Sequence, residues 1–392
     1  MKRASAGAVF LVVLIDLLGF GIVLPLLPRY AHAFQAADYE IGLLMASYSA
    51  MQFLFSPIWG RVSDRVGRRP ILMLGLAGSV ISYTLFAFAD TMTLLFVSRI
   101  AAGIFGATIG TAHAYIADVT PKEKRGREMA LIGVAFGVGF TIGPAIGGLT
   151  YSEAHPGTPG FVAAGLSLIA LVLTAARLKE PEKHSFKAQK PWLDFRGLRA
   201  ALTMKTIPLI LGLSFVATFA FAGLESTLSR FTEDALSYDI RQNGWLFTYV
   251  GFCLLMAQGF VVRRYMMRVG EINFVRAGPV ILAAGLLLTG FSASSAWLAF
   301  VGLAVAVLGF AMIGPSLSSL LSQRTSAETQ GEVLGVNQSG LSMARILGPY
   351  VGLSLFGWEP HAPFVFAAVV MGLAFMGALT LARHKTEAPA PS

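Results

Sequence analysis

Long apolar segments separated by short polar ones repeat along nearly the whole chain. Each has about 20 residues, which is enough for an α-helix to cross a hydrocarbon core of roughly 30 Å. The alternating polarity of membrane β-strands is absent from these segments, so the pattern predicts an all-α membrane protein with twelve transmembrane helices. The predicted spans are 7–28, 40–60, 71–89, 92–116, 128–150, 160–178, 207–230, 243–263, 275–292, 296–321, 331–355 and 361–382.

The longest polar stretch, Lys179 to Lys205, divides these spans into two sets of six. Apolar residues at helical spacing from Trp192 to Leu202 predict a short helix in the headgroup layer, or an ordinary linker helix. We therefore predict an N-terminal six-helix bundle over 1–178, a cytoplasmic linker over 179–206 and a C-terminal six-helix bundle over 207–392.

The two halves repeat each other at an offset of about 204 residues, which indicates a pseudo-symmetric fold. Gly143-Pro144 in span five corresponds to Gly348-Pro349 in span eleven, and Gly110 corresponds to Gly314. Parallel six-helix repeats are one construction of transporters, in which a central cavity opens to alternate sides of the membrane.

The charge distribution predicts the orientation of the chain in the membrane, and it also explains the net positive charge without a nucleic-acid partner. The chain is 55% hydrophobic and 13% charged, with a net charge of +9. Of its 30 lysines and arginines, about 25 fall at the N-terminus, in the even-to-odd loops or in the tail. Only Arg29, Arg230 and Arg241 lie on the other side, which predicts that both termini are cytoplasmic. This bias and anionic membrane lipid account for the positive charge, so no nucleic-acid partner is expected.

Enzyme chemistry has no template in the sequence. The single cysteine, Cys253, lies in an apolar segment and excludes both an internal disulfide and a cysteine metal cluster. The chain lacks a Walker loop, a GxSxG elbow and a His/Glu pair at metal spacing. We expect no cofactor and no metal, and energy from an ion gradient.

A dense charged segment, Gly60 to Pro70, lies between spans two and three and is interpreted as a loop forming a moving hinge. Asp64 is expected to face the N-terminal dipole of span eleven, and the arginines to pair with Asp118 or Glu123. The glycines allow close backbone approach and a turn. A purely topological role for the arginines is the alternative. The gating residues proposed are Gly60, Asp64, Arg65, Gly67, Arg68, Arg69 and Asp118.

Ionisable residues inside spans are costly and functional by default. Asp16, near the middle of span one, is hypothesised to couple proton and substrate; a static pairing with Arg99 is the alternative. Arg99 is assigned to gating electrostatics, and Arg345 requires an acidic or carbonyl partner from another helix. Glu225 is either a cation-attracting site or an interfacial acid. His113 is either a proton relay or a packing residue.

Span five is unusually rich in small residues, which lets two helix backbones approach closely. Ala135, Gly139, Gly143 and Gly147 recur at every fourth position, and Pro144 and Gly148 adjoin them. The corresponding positions in span eleven are Gly340, Ala344, Gly348 and Gly352. Generic close packing is the alternative to a sliding or rocking surface.

A central cavity is predicted between spans one, two, four and five and their counterparts in the second half. Aromatic and amide side chains suit a flat or amphipathic small molecule, although the same spacing is also common in packing. The wall candidates are Phe20, Tyr48, Gln52, Trp245, Tyr249, Asn337, Gln338 and Arg345.

Two motifs give the chain a family resemblance. The segment Gly60–Arg69 resembles the signature loop of the major facilitator superfamily, and Arg99–Gly103 resembles its second motif. Within that superfamily, Ala112–Thr120 and span five resemble the tetracycline-efflux and drug/proton antiporter group. This resemblance implies a bacterial origin and antiport. Span nine lacks the acidic residues of those pumps, so tetracycline itself is not implied.

Three functions follow from these expectations. The first is proton-coupled export of small amphipathic compounds from a monomeric carrier in the bacterial inner membrane. The second is a facilitator or symporter that imports a sugar or an organic metabolite. The third is a membrane scaffold that keeps the fold without transport.

Overall fold

The fold is described from a computed structural model, which places residues 6–107, 109–120, 125–181, 203–204, 206–293, 295–325 and 330–383. These residues are almost entirely helical and contain no β-strand, which confirms the all-α prediction for them. The predicted interfacial helix of the linker, and Glu123, lie outside the described residues.

Short connections separate the helices of the first half. The helices are α1 (Ala6–Val23), α2 (Leu27–Ala33), α3 (Asp38–Val66), α4 (Arg68–Ala87), α5 (Met92–Gly106), α6 (Ile109–Val119), α7 (Arg125–Thr150) and α8 (Thr158–Arg177). A 3₁₀ turn with Pro25 joins α1 to α2 within the first predicted span, because proline cannot donate to the preceding helical turn.

The second half continues with long helices. They are α9 (Ile207–Leu236), α10 (Ile240–Met256), α11 (Arg263–Val269), α12 (Glu271–Gly290), α13 (Ala296–Gln323), α14 (Gln330–Trp358) and α15 (Ala362–Arg383). A π-helical turn, Ala257–Val262, joins α10 to α11. Within the described part of the chain, eleven helical segments are long and apolar enough to cross a membrane. The remaining predicted span corresponds to α14, which is 29 residues long.

The prediction of a charged loop from Gly60 to Pro70 is wrong. Helix α3 continues to Val66 and α4 begins at Arg68, so Gly67 alone separates the two helices. Hydropathy marks where a helix leaves the hydrocarbon, but solvated arginine and aspartate side chains do not end a helix. The break comes from Gly67, whose φ of 113° and ψ of 156° lie in a region that only glycine readily adopts.

Two compact units share the described residues. One contains the described part of Met1–Gln189 together with Ser237–Phe252, and the other contains that of Lys190–Leu236 together with Cys253–Ser392. The predicted bundle and linker boundaries at 178 and 206 stay predictions.

The helices of each half pack in the same pairwise order. In the first half α1 packs on α7 and α8, and α4 packs on α5 and α8. In the second half α9 packs on α14 and α15, and α12 packs on α13 and α15. In each half, the first span packs on the fifth and sixth spans of that half, and the third span packs on the fourth and sixth. The internal repeat seen in the sequence is therefore also a repeat of packing.

Candidate functional site

The turn between α3 and α4 brings the charged motif together. The Arg68 guanidinium lies 2.6 Å from Asp64 Oδ1 through Nη1 and 3.1 Å from Asp118 Oδ2 through Nε. It also donates to Ser63 Oγ at 2.6 Å. Arg65 is exposed. One arginine thus connects the end of α3 to the end of α6, while the predicted contact of Asp64 with span eleven stays a prediction.

Glu180, just beyond α8, caps the first turn of α4. Its Oε1 accepts the Arg68 backbone N–H at 2.5 Å, and its Oε2 accepts that of Arg69 at 2.9 Å. The Arg69 side chain donates in return to the Ala175 carbonyl at 2.7 Å. A carboxylate at a helix N-terminus satisfies otherwise unpaired N–H groups and opposes the helix dipole. The chain leaving α8 is therefore tied to the charged motif.

The two motif glycines differ in their surroundings. A Cβ placed on Gly67 would lie 2.8 Å from the Glu180 carboxyl carbon, whereas one on Gly60 would meet no atom within 4 Å. The expectation of a close backbone approach at Gly60 is therefore not met in this conformation. Gly67 supplies the predicted turn.

Arg99 lies at the centre of an aromatic cluster in the first unit. It is 2% exposed, and its guanidinium carbon lies 4.6 Å from the ring centre of Tyr48 and 5.9 Å from that of Phe20. The Gln52 amide donates to Tyr48 Oη and to the Gly106 carbonyl, both at 3.3 Å. Two of the predicted cavity-wall residues, Phe20 and Tyr48, thus make cation–π contacts with one buried cation, and a third, Gln52, is hydrogen-bonded to Tyr48.

Asp16 is half-buried on α1. Its Oδ1 is closed off from solvent and has no hydrogen-bond partner within the described residues. The hydroxyl groups of Ser79 and Ser167 adjoin the carboxyl group. The ion pairs found among the described residues do not join Asp16 to Arg99; Tyr83 interacts electrostatically with both.

The small residues of α7 make the close approaches that their spacing predicts. A Cβ on Gly139 would lie 2.9 Å from the Leu17 backbone, one on Gly143 2.7 Å from the Gly21 backbone, and one on Gly147 2.6 Å from a carbonyl of α1. Beside this face, a Cβ on Gly148 would lie 3.1 Å from Arg241 Cα. Helix α7 thus meets α1 and the start of α10 through backbone contacts.

Comparisons with known proteins agree with this architecture. A sequence model of the Major Facilitator Superfamily matches residues 9–349 and, in a second match, 231–392. The chain is 32% identical over 387 residues to "Tetracycline resistance protein, class C" of Escherichia coli, covering 95% of this chain and 96% of the relative. It is 30% identical over 373 residues to "Multidrug resistance protein 1" of Bacillus subtilis (strain 168), covering 94% and 93%.

The chain belongs to the Major Facilitator Superfamily. It is therefore a multi-pass membrane transporter and not an enzyme. Among solved structures, the human organic anion transporter MFSD10 (TETRAN) matches with a TM-score of 0.70 at 27% identity over 95% of this chain and 98% of that one. A bacterial homolog of the human lysosomal transporter Spinster matches with a TM-score of 0.80 at 16% identity, over 98% of each chain, and this likeness concerns the fold alone.

The second unit of this superfamily member contains an acidic and a basic residue inside two predicted spans, of which Glu225 is half-buried and Arg345 is exposed. Glu225 on α9 is half-buried, and its charge interacts with that of Arg345 on α14. The same two helices approach closely, since a Cβ on Gly348 would lie 2.7 Å from the Phe219 carbonyl and one on Gly352 would lie 3.2 Å from Gly223. Glu225 is thus an acidic residue on another helix that is near enough to interact with Arg345.

The other predicted site residues are spread more widely. His113 is half-buried on α6, and no hydrogen bond from the described residues reaches its ring. Asn337 is 9% exposed, whereas Trp245 is 52% exposed. Tyr249 is half-buried and Gln338 is exposed. Their roles as walls of a central cavity stay predictions.

Sequence reasoning missed four residues that complete these sites. Glu180 is the first acidic residue after span six, and its position at a helix end was the available signal. Ser79, Tyr83 and Ser167 are polar residues inside apolar spans, a pattern that marks internal contacts. Which residues these three side chains contact depends on how neighbouring helices are rotated and displaced, and the sequence of a single span does not contain that information.

Proposed function

We propose that this transporter is a proton-coupled antiporter that exports small amphipathic compounds by alternating access. The proposal includes a monomeric carrier in the bacterial inner membrane with both termini in the cytoplasm. The observation that carries it is the similarity over nearly the full length to relatives named for tetracycline resistance and multidrug resistance. Identity of about one third supports the class of substrate and leaves the particular compound open.

The two half-buried carboxyl groups, Asp16 and Glu225, support ion coupling. Asp16 has an oxygen sealed from solvent without a partner among the described residues, and Glu225 interacts with Arg345 inside the second unit. Carboxyl groups inside a membrane protein are costly and mark proton pathways. Each half therefore contains one acidic group suited to bind and release a proton during the transport cycle.

The aromatic cluster supports an amphipathic substrate. The rings of Phe20 and Tyr48 lie against Arg99, and the Gln52 amide donates to Tyr48 Oη. Flat rings contact an extended aromatic molecule well, whereas a sugar requires many polar groups to match its hydroxyls. This composition favours export of drug-like compounds over the alternative, a facilitator or symporter that imports a sugar or an organic metabolite.

Proton movement in inverted membrane vesicles tests the proposal. With the lumen acidified, addition of tetracycline or ethidium is expected to raise the luminal pH as protons leave in exchange. Asp16→Asn is expected to abolish the signal, whereas Asp90→Asn, a matched change in the exposed α4–α5 connection, retains it. A panel of sugars that moves together with protons, with no response to either aromatic compound, would contradict export.

A further inference from the structure

Arg99 is a buried cation without a partner of opposite charge among the described residues. Its side chain is 2% exposed, and its guanidinium group is a permanent cation that only donates hydrogen bonds. No hydrogen bond or salt bridge from the described residues reaches this group; Nε is sealed from solvent, whereas the two Nη atoms are not among the sealed atoms. A buried charge without an acceptor is strongly unfavourable, so the site favours an anion beside Arg99.

Three acids of the first half have partners other than this cation. Asp16 adjoins two serine hydroxyl groups, and Asp64 and Asp118 both pair with Arg68 at the ends of their helices. The groups that interact electrostatically with the buried guanidinium are two tyrosines. Aromatic rings attract a cation through their quadrupole, which lessens the cost of burial but leaves the positive charge itself uncompensated. An anionic group on a ligand would compensate it.

Four aromatic rings form a row that begins over this cation. The Arg99 guanidinium carbon lies 4.6 Å from the ring centre of Tyr48 and 5.9 Å from that of Phe20. The Tyr48 and Phe20 ring centres are 5.0 Å apart. Phe140 follows 5.7 Å from Phe20, and Phe136 follows 6.5 Å from Phe140. All four rings are half-buried, so this aromatic row has partly uncovered rings, one positively charged end and one apolar end.

Close helix contacts hold the aromatic row in place. At its charged end, a Cβ on Gly106 would lie 3.0 Å from Tyr48 Oη, and the Gln52 amide donates to both that hydroxyl and the Gly106 carbonyl. Further along, a Cβ on Gly139 would lie 2.9 Å from the Leu17 backbone, which fixes α7 against α1 beside the next two rings. A site whose walls are already positioned loses less entropy when a ligand binds.

We propose that Arg99 and the aromatic row form a binding site for flat amphipathic anions, with aromatic carboxylates as the simplest class. The anionic group lies toward Arg99, and the apolar body lies along Phe140 and Phe136. Because the charge stands directly behind two rings in a medium of low dielectric constant, it attracts an anion and repels a cation even without a direct contact. Arg99 is then the residue that determines the preferred charge of the ligand.

This site rests on the proposed function and narrows its substrates to compounds in which a flat ring carries a negative group. Binding of a matched pair of ligands to the full-length protein in detergent micelles tests it. The naphthoate ion and the neutral naphthamide share one ring system and nearly one size, and they differ in charge. Isothermal titration calorimetry is expected to give naphthoate a dissociation constant lower by about tenfold or more.

Substitutions separate the charge from the rings. Arg99→Gln should weaken naphthoate binding by about tenfold and naphthamide binding much less, whereas a merely structural role would weaken both equally. Arg99→Lys keeps a positive charge and should keep the preference for naphthoate. Phe140→Ala removes a ring and should weaken both ligands by the same factor. Arg177→Gln is the matched control, because Arg177 is exposed in the last turn of α8, and it should leave the ratio of the two dissociation constants unchanged.

The outcomes separate this site from the transport proposal. Equal dissociation constants for naphthoate and naphthamide in the unsubstituted protein overturn the site without any variant, and so does a preference for naphthoate that survives in Arg99→Gln. Proton movement in vesicles on adding tetracycline or ethidium, together with equal dissociation constants, retains antiport and overturns the anion site. A preference that behaves as expected, together with no proton movement in vesicles, overturns antiport and retains the anion site.

Discussion

Replacing Gly67 by alanine tests the turn on which the charged motif depends. Gly67 has φ 113° and ψ 156°, a combination that costs a residue with a side chain about 1 to 3 kcal/mol. The added Cβ would also lie 2.8 Å from the Glu180 carboxyl carbon, which is closer than real Cβ contacts come. The carboxylate must therefore move away from the start of α4.

Displacing that carboxylate removes a helix cap. Glu180 accepts from the backbone N–H groups of Arg68 and Arg69, and loss of such a cap costs about 0.5 to 2 kcal/mol. Together with the backbone strain, the first turn of α4 should lose about 1.5 to 5 kcal/mol of local stability. A factor of ten corresponds to about 1.4 kcal/mol, so opening of this turn should become roughly tenfold more frequent or more.

Hydrogen exchange measured by mass spectrometry on the full-length protein in nanodiscs reports this opening. We expect Gly67→Ala to speed exchange in the peptide that begins at Arg68. Gly60→Ala is the matched control, because its Cβ would meet no atom within 4 Å and alanine is favoured over glycine inside a helix by up to about 1 kcal/mol. Unchanged exchange in Gly67→Ala, or an equal rise in Gly60→Ala, would refute the reasoning.

Three further substitutions test other contacts. Gly143→Ala places a Cβ 2.7 Å from the α1 backbone. Overpacking should lower the free energy of unfolding by about 1 to 3 kcal/mol, which is measured as a lower unfolding temperature. Gly133→Ala is the control, because its Cβ lies in open space on the same helix, and it should leave the unfolding temperature unchanged. Asp118→Asn changes a side chain that is 30% exposed and removes one partner of Arg68, while Asp64 stays in place. The free energy of unfolding should therefore change by less than about 1 kcal/mol, while proton-driven efflux falls severalfold. A loss of efflux that is explained by an equal loss of stability would contradict a gating role. Arg99→Lys keeps the charge but loses the planar contact with Tyr48, which is worth about 0.5 to 2 kcal/mol. The variant should therefore unfold at a lower temperature. An unchanged unfolding temperature would show that the contact does not contribute to stability.

The membrane helices and their internal repeat could be predicted because burial in hydrocarbon imposes one composition over about 20 residues. The ends of the helices could not. Helix α3 extends to Val66 through a charged stretch, since backbone hydrogen bonding continues after the apolar pattern ends. Position 67 stood out in the sequence as a glycine, and the structure adds that it alone separates two long helices.

Partners of single charged residues were harder to predict than helices. The pairing of Arg68 with Asp118 was among the expected contacts, because both lie at the same predicted membrane face. The serines beside Asp16 were not expected, since their approach depends on how three helices are rotated and displaced against one another. That register is set by contacts such as Gly19 against Tyr83, which no periodicity within one span encodes.

The two halves carry different residues at corresponding helix starts. Among the described residues, the glycines with positive φ are Gly67 and Gly270, and each precedes a helix whose first N–H groups need an acceptor. In the second half an acid, Glu271, stands at the first helical position and accepts from Ser319 and Gln323 at 3.0 Å each, which ties α12 to α13.

In the first half arginines occupy the corresponding positions, and their backbone N–H groups donate to the Glu180 carboxylate from beyond α8. The Tyr115 hydroxyl donates to the adjoining Lys179 carbonyl at 2.5 Å, and Leu178 is buried in the core cluster around Tyr115. The first half therefore connects its charged motif to the chain that leaves its last helix. A change in the position of that chain is expected to alter the α3–α4 turn.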